Sequence, residues 1–165
     1  MENAFTRLIE PCDNNLLATI IRAALTEFKA NKPGTVYYDD STNHLYELFQ
    51  AERSRYYVAI LNDKVVGGAG IYPTRGLEAT TCELVKMYLS PEARGKGLAT
   101  LLMNCCLEAA KANKFEKVYI ETMPELTIAV PMYEKFGFTY LNGPLGDSGH
   151  NGCNLWMLKE LDIKN

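Results

Sequence analysis

Residues 82–99 read CELVKMYLSPEARGKGLA, and the fold turns on this stretch. An apolar run ends at Ser90-Pro91, a turn signal, and a basic, glycine-punctuated segment then opens an amphipathic helix. Such a strand-loop-helix passage forms an anion cradle. Its glycines let backbone N–H groups turn toward a ligand, the helix N-terminus adds positive dipole, and Arg94 and Lys96 add charge. The ligand that suits it is a phosphate or pyrophosphate.

Two common nucleotide loops are excluded. A Walker loop needs two glycines four residues apart followed by Lys and Ser or Thr, whereas Gly95-Lys96-Gly97 is followed by Leu98-Ala99. The dinucleotide fingerprint fails because Thr100 stands where its third glycine belongs, and Glu116 and Glu121 are weak matches to its acidic residue. Charge and glycine alone fit a solvated helix cap better than a ligand site, so the flanking elements decide.

Working outward, a helix over roughly 97–113 carries Leu98, Leu101, Leu102, Cys105 and Ala109 as a core-facing stripe. Lys117–Thr122 is the next strand, which makes 81–122 a β-loop-α-β unit. After Pro124 a helix runs to about Phe136, with Gly137 as its stop, and it must begin within a residue or two before Pro131. Phe138–Leu141 and Asn154–Lys159 form a last strand pair around the glycine-rich loop 142–153. Upstream, strands Arg55–Leu61 and Lys64–Tyr72 make a hairpin on Asn62-Asp63, and strand Thr81–Leu89 follows. Gly67, Gly68 and Gly70 predict a bulge or a close backbone approach in the second of these strands. The chain opens with a strand over 4–10, a helix over roughly 14–30, a loop over 31–41 and a second short helix over 42–51. The order describes a mixed α/β domain with a largely antiparallel sheet and one parallel crossover.

Composition narrows the class. At 165 residues, with 47% hydrophobic and 22% charged residues, the chain reads as one globular domain over 1–165 with a real core. A net charge of −3 argues against a general nucleic-acid binder. The five cysteines show no C-x-x-C spacing, and adjacent Cys105 and Cys106 cannot bridge without strain, so reduced thiols and a reducing compartment are expected. The absence of a signal segment and of a long apolar run predicts a cytoplasmic protein with no membrane partner.

The ordered pieces resemble the GNAT superfamily of acyl-CoA-dependent N-acyltransferases. Its cofactor motif stands here as Arg94-Gly95-Lys96-Gly97-Leu98-Ala99, between the strands CELVKMYLS and KVYIET, and AVPMYEKFGF matches the family's last helix end. The likeness runs from about residue 4 to residue 159, and Pro131 departs from the pattern. It implies a mixed, mostly antiparallel sheet of six to seven strands flanked by about four helices. It also implies an acetyl group moved from acetyl-CoA to a primary amine of a small molecule or amino acid, in a ternary complex. No metal is implied, and a homodimer is a state that relatives adopt.

Site residues follow from the same resemblance. The amides of Arg94, Gly95, Lys96, Gly97, Leu98 and Ala99 would hold the coenzyme A pyrophosphate, and Met87, Tyr88 and Leu89 would pair through their backbone with the pantetheine arm. The amide of Met87 would polarise the thioester carbonyl. Glu83, four residues earlier and on the same face by a period of two, is the expected base, and Tyr133 the expected acid for the departing sulfur. Each also has a plain structural reading, as a strand carboxylate and a packing aromatic. The acceptor site is expected among Phe28, Tyr37, Tyr38, Glu47 and His150. Asp147, His150 and Cys153 are too loosely spaced for zinc. A protein or peptide acetyltransferase and a non-catalytic acyl-CoA sensor are the competing readings.

Overall fold

The computed structural model describes residues 1–163. Seven strands form one sheet: β1 (Ala4–Leu8), β2 (Arg55–Leu61), β3 (Lys64–Tyr72), β4 (Thr81–Leu89), β5 (Lys117–Thr122), β6 (Thr139–Leu141) and β7 (Leu155–Glu160). Their order is β1-β2-β3-β4-β5-β7-β6, so β7 inserts between β5 and β6. Every pair is antiparallel except β4 and β5, whose crossover carries the basic loop and a helix. The mostly antiparallel sheet with one parallel crossover is as expected. Asn62 and Asp63 both take positive φ (48° and 65°), as a two-residue hairpin turn with the twist of its strands requires.

Four helices cover the two faces. α1 (Asn14–Glu27) and the short α2 (Leu45–Leu48) pack Leu17, Ile21, Leu25 and Leu45 against Tyr56, Val58 and Ile60 on one face. On the other face α3 (Leu98–Ala112) and α4 (Ala129–Lys135) bury Leu98, Leu102, Met103, Cys106 and Tyr133 over Ala69, Leu84, Val118 and Ile120. The α3 stripe is rotated from its expected setting. Leu101 is 42% exposed, while Met103 and Ala110 are sealed.

Helix ends explain most boundary differences. α1, α3 and α4 each stop in the same two-bond motif, in which a left-handed residue donates back into the last turn and the next residue donates one carbonyl deeper. Gly137 fills that position after α4, but Lys29 (φ 56°) and Lys114 (φ 66°) fill it after α1 and α3. With no glycine to mark the stop, the first helix ends at Glu27 rather than near residue 30. Of the helix expected over 42–51 only Leu45–Leu48 is α-helical, and a 3-10 turn over Asp40–Asn43 precedes it. Pro131 sits at the third position of α4, inside the first turn, where its missing N–H would have had no intrahelical partner.

Tyr56 crowds two of the three glycines of β3, Gly68 and Gly70. A Cβ on Gly68 would stand 2.5 Å from the Tyr56 ring, and one on Gly70 would stand 2.6 Å from the Arg55 carbonyl. At Gly67 the obstacle is β4 instead, where a Cβ would stand 2.1 Å from the Tyr88 carbonyl.

Candidate active site

The sheet opens where the site forms. β4 and β5 pair only over Thr81–Glu83 against Lys117–Tyr119, and beyond that point β4 has no strand partner on its β5 side among the described residues. Gly70 pairs with Val85 and Gly68 with Tyr88, so Lys86 and Met87 together stand opposite Ala69 alone. This is a β-bulge, with Lys86 at φ 51°, and the Tyr56 hydroxyl donates to its carbonyl at 2.8 Å.

The bulge corrects one expectation. Cys82 and Leu84 face α3 before it, whereas Met87 and Leu89 face α3 after it. Val85 and Tyr88 face α1. The extra residue inverts the alternation, so the side chains of Glu83 and Met87 lie on opposite faces of the strand rather than the same one.

Next to the free edge of β4 lies a cavity of about 590 Å³, lined by Met87, Tyr88 and Leu89, by Arg94, Gly95, Gly97 and Ala99, and by Met132 of α4 and Phe136 just after it. Gly95 (φ 73°) and Gly97 (φ 80°) turn the loop in the left-handed region, and a Cβ at either would meet no atom within 4 Å. The amides of residues 95–100 donate to no described residue, and α3 has no side-chain cap. Free N–H groups on an open loop at the start of a 15-residue helix fit a phosphorylated ligand, and an extended arm fits the free strand edge. Among the other residues expected here, Leu98 is sealed in the core and Lys96 turns its ammonium to Glu2, which leaves each only a backbone amide to offer. The Arg94 guanidinium spans the Leu89 carbonyl (3.1 Å) and Glu27 (2.6 Å), above the Phe28 ring.

A smaller cavity adjoins the bulge and is lined by Glu83, Lys86, Met87, Glu121, Tyr133, His150 and Cys153, among others. Glu83 is 3% exposed, and its Oε1 accepts the Thr74 hydroxyl at 2.7 Å. Burial pushes its carboxyl up to about 7, helped by the nearby charge of Glu121 and opposed by the Thr74 hydrogen bond and by His150 and Lys86. Oxygens of Glu83 and Glu121 and a nitrogen of His150 lie within 4.8 Å of one another. Burial likewise raises Glu121. His150 is carried in by the 142–153 loop, whose Gly152 donates to the Gly34 carbonyl (2.8 Å) and whose His150 Nε2 meets Asp39 Oδ2 at 2.6 Å. Burial pulls the imidazole down, but the Asp39 hydrogen bond and charge more than reverse this, so His150 titrates above its ordinary value. Asp39 is held below its own, its burial outweighed by His150 and Lys86.

Tyr133 lines this cavity at 5% exposure, its phenol raised by burial. His150 is the acceptor candidate that the fold brings to Glu83. Phe28 instead lines the larger cavity, Tyr37 packs on the α1 core, Tyr38 is 62% exposed, and Glu47 bonds Asn14 at the surface. Asp147 stays on the outer part of its loop beside Arg75. Lys86 is the group of this site that sequence reading did not place there. One signal was available: Lys86 has the parity of Cys82 and Leu84, and a charge at a core-facing position marks either a break in alternation or a buried ion. No helix among the described residues is long and apolar enough to cross a membrane, and all five cysteines are free thiols.

Known proteins are similar to this chain in sequence and in fold. The model of the acetyltransferase (GNAT) family matches residues 18–138. The chain is 39% identical over 151 residues to the uncharacterized N-acetyltransferase YjgM of Escherichia coli (strain K12), with 90% of each chain covered. Its fold superimposes on an acetyltransferase of the GNAT family from Staphylococcus aureus at a TM-score of 0.82 and 15% identity, covering 97% of this chain and 100% of that one. It also superimposes on the PaiA N-acetyltransferase of Thermoplasma acidophilum, solved with coenzyme A, at a TM-score of 0.74 and 15% identity, covering 96% and 99%.

Proposed function

Since the chain belongs to the GNAT family of acetyltransferases, we propose that it moves the acetyl group of acetyl-CoA directly to the primary amine of a small molecule or amino acid. One observation carries the reading. A buried carboxyl poised at about 7 lines a small pocket that shares Met87 and Tyr88 with a cleft whose free amides and strand edge suit coenzyme A.

Acetyl-CoA supplies an activated carbonyl and a thiol leaving group. An amine arrives as its ammonium at neutral pH and cannot attack until it loses a proton. Glu83, ionised in a useful fraction near pH 7, takes that proton directly or through a water. The Met87 amide, at the bulge on the free strand edge, donates to the carbonyl oxygen as it gains charge. When the carbon–sulfur bond breaks, Tyr133 gives its phenolic proton to the sulfur, and the second proton shed by the newly acylated nitrogen restores the phenol. The products are an N-acetyl amide and coenzyme A with its thiol restored, and the proton on Glu83 passes to solvent.

The small cavity, closed by the 142–153 loop, supports a small acceptor over a peptide, which would need an open groove. The same reading takes 1–165 as one acetyltransferase domain working in the cytoplasm, where its thiols stay reduced. The test is thiol release from acetyl-CoA across a panel of amines, amino acids and peptides, with Glu83→Gln and Tyr133→Phe as controls. Tight coenzyme A binding with no turnover on any amine would identify a sensor instead.

A further inference from the structure

The pocket beside Glu83 has unused hydrogen-bonding capacity of two opposite kinds. On one wall is Lys86, its side chain 4% exposed and its Nζ ion-paired with Asp39 Oδ2 at 3.6 Å. That same oxygen already accepts His150 Nε2 at 2.6 Å. Asp39 is the ion-pair partner of Lys86 among the described residues, which leaves the ammonium two N–H donors without an acceptor in a nearly dry site. On another wall, Glu121 Oε1 and Thr122 Oγ1 are buried with no hydrogen-bond partner among the described residues. Buried polar groups in a finished structure are nearly always paired, and the cost of leaving charged ones unpaired is high.

We propose that this pocket holds the head group of an amino acid, with Lys86 and the neighbouring His150 facing the carboxylate and Glu83 with Glu121 facing the amine. The proposal rests on the acetyl-transfer reading and names the acceptor class within it. A plain alkylamine would satisfy Glu121 and leave those two Lys86 donors unmatched. A polyamine would bring a second cation beside Lys86 and His150. A peptide N-terminus carries its nearest carboxylate too far away. Only an acceptor with an anion and an amine on the same or adjacent carbons answers both walls. The cavity has about 40 Å³ of free space, room for roughly three waters, which is the scale of such a head group rather than of a whole large substrate. Charge agrees: Asp39 is one anion shared by two cations, and the charges of Glu83 and Glu121 are partly suppressed by burial.

The experiment compares matched acceptors with acetyl-CoA: alanine with ethylamine, phenylalanine with phenethylamine, and each amino acid with its methyl ester. Thiol release and product mass are read together. The expected result is a kcat/KM for the free amino acid at least tenfold above that of its amine and ester. In Lys86→Met this ratio should fall at least tenfold, mainly through KM, and Lys86→Arg should recover part of it. Equal rates for amino acid and amine in the unaltered protein overturn the subsite and leave acetyl transfer standing. Silence with every acceptor overturns acetyl transfer to small amines, and the subsite with it. Because the unaltered protein carries the main comparison, a poorly folding Lys86 variant cannot hide the answer.

Discussion

The Tyr56 hydroxyl donates to the carbonyl of Lys86 at 2.8 Å, and this bond pins the bulge on which the site is built. Tyr56 is 1% exposed, so its phenol and the carbonyl it caps have no water to fall back on. Tyr56→Phe should therefore destabilise the fold by about 1–3 kcal/mol, read as a lower urea midpoint with unchanged m-value. An unchanged midpoint would mean that the bulge holds without this bond.

Glu83 gives the activity its pH dependence. With its carboxyl raised to about 7 by burial, kcat/KM should climb with pH up to about 7 and then level, and Glu83→Gln should lose that limb along with about 10²–10⁴-fold in rate. Stability runs the other way. The folded pKa lies above the unfolded value of 4.5, so between the two the unfolded chain gives up a proton that the folded one keeps, and stability falls as pH rises. Glu83→Gln should flatten that part of the stability curve. A rate profile without an inflection near 7 would remove Glu83 as the base.

Tyr133→Phe removes only a hydroxyl from a well-packed ring. The kcat should drop about 10²-fold or more while coenzyme A binding by calorimetry stays within about twofold. A full-rate Tyr133→Phe would mean that solvent or another group protonates the sulfur.

Gly97 starts α3 in the left-handed region at φ 80°, with open space where a Cβ would go. Gly97→Val should weaken coenzyme A binding about tenfold or more, because a β-branched residue resists this backbone and the amides then turn away. The dissociation constant of coenzyme A checks it.

Asp39 keeps the 142–153 loop docked through His150. In Asp39→Asn the imidazole loses its anion, and its pKa, followed by NMR on the ring protons, should drop. Part of the loop's attachment should be lost with it. For the intact pair, stability from His150 is present below the unfolded pKa of 6.5 and fades as pH rises through the raised folded value, while the Asp39 part is lost as pH falls through its lowered one.

Much of this architecture was legible in residue order. Strands β2 to β5 begin and end where alternation and turn residues put them, since local periodicity and the Asn62-Asp63 turn act over a few residues. The basic loop 94–99 was readable for the same reason: its glycines and charges sit together in the chain. Helix ends at Lys29 and Lys114 were not, because a left-handed lysine is stabilised by hydrogen bonds that composition does not announce.

The sequence by itself determined the strand order along the chain, the phosphate-suited loop and the two candidates Glu83 and Tyr133. Only the tertiary structure decided what surrounds them. One extra residue at Lys86 inverted the faces of β4, and the packing of two distant loops brought Asp39 and His150 to Lys86. Glu83 rises to about 7 because it is buried, and burial is a property of the whole fold rather than of any stretch within it.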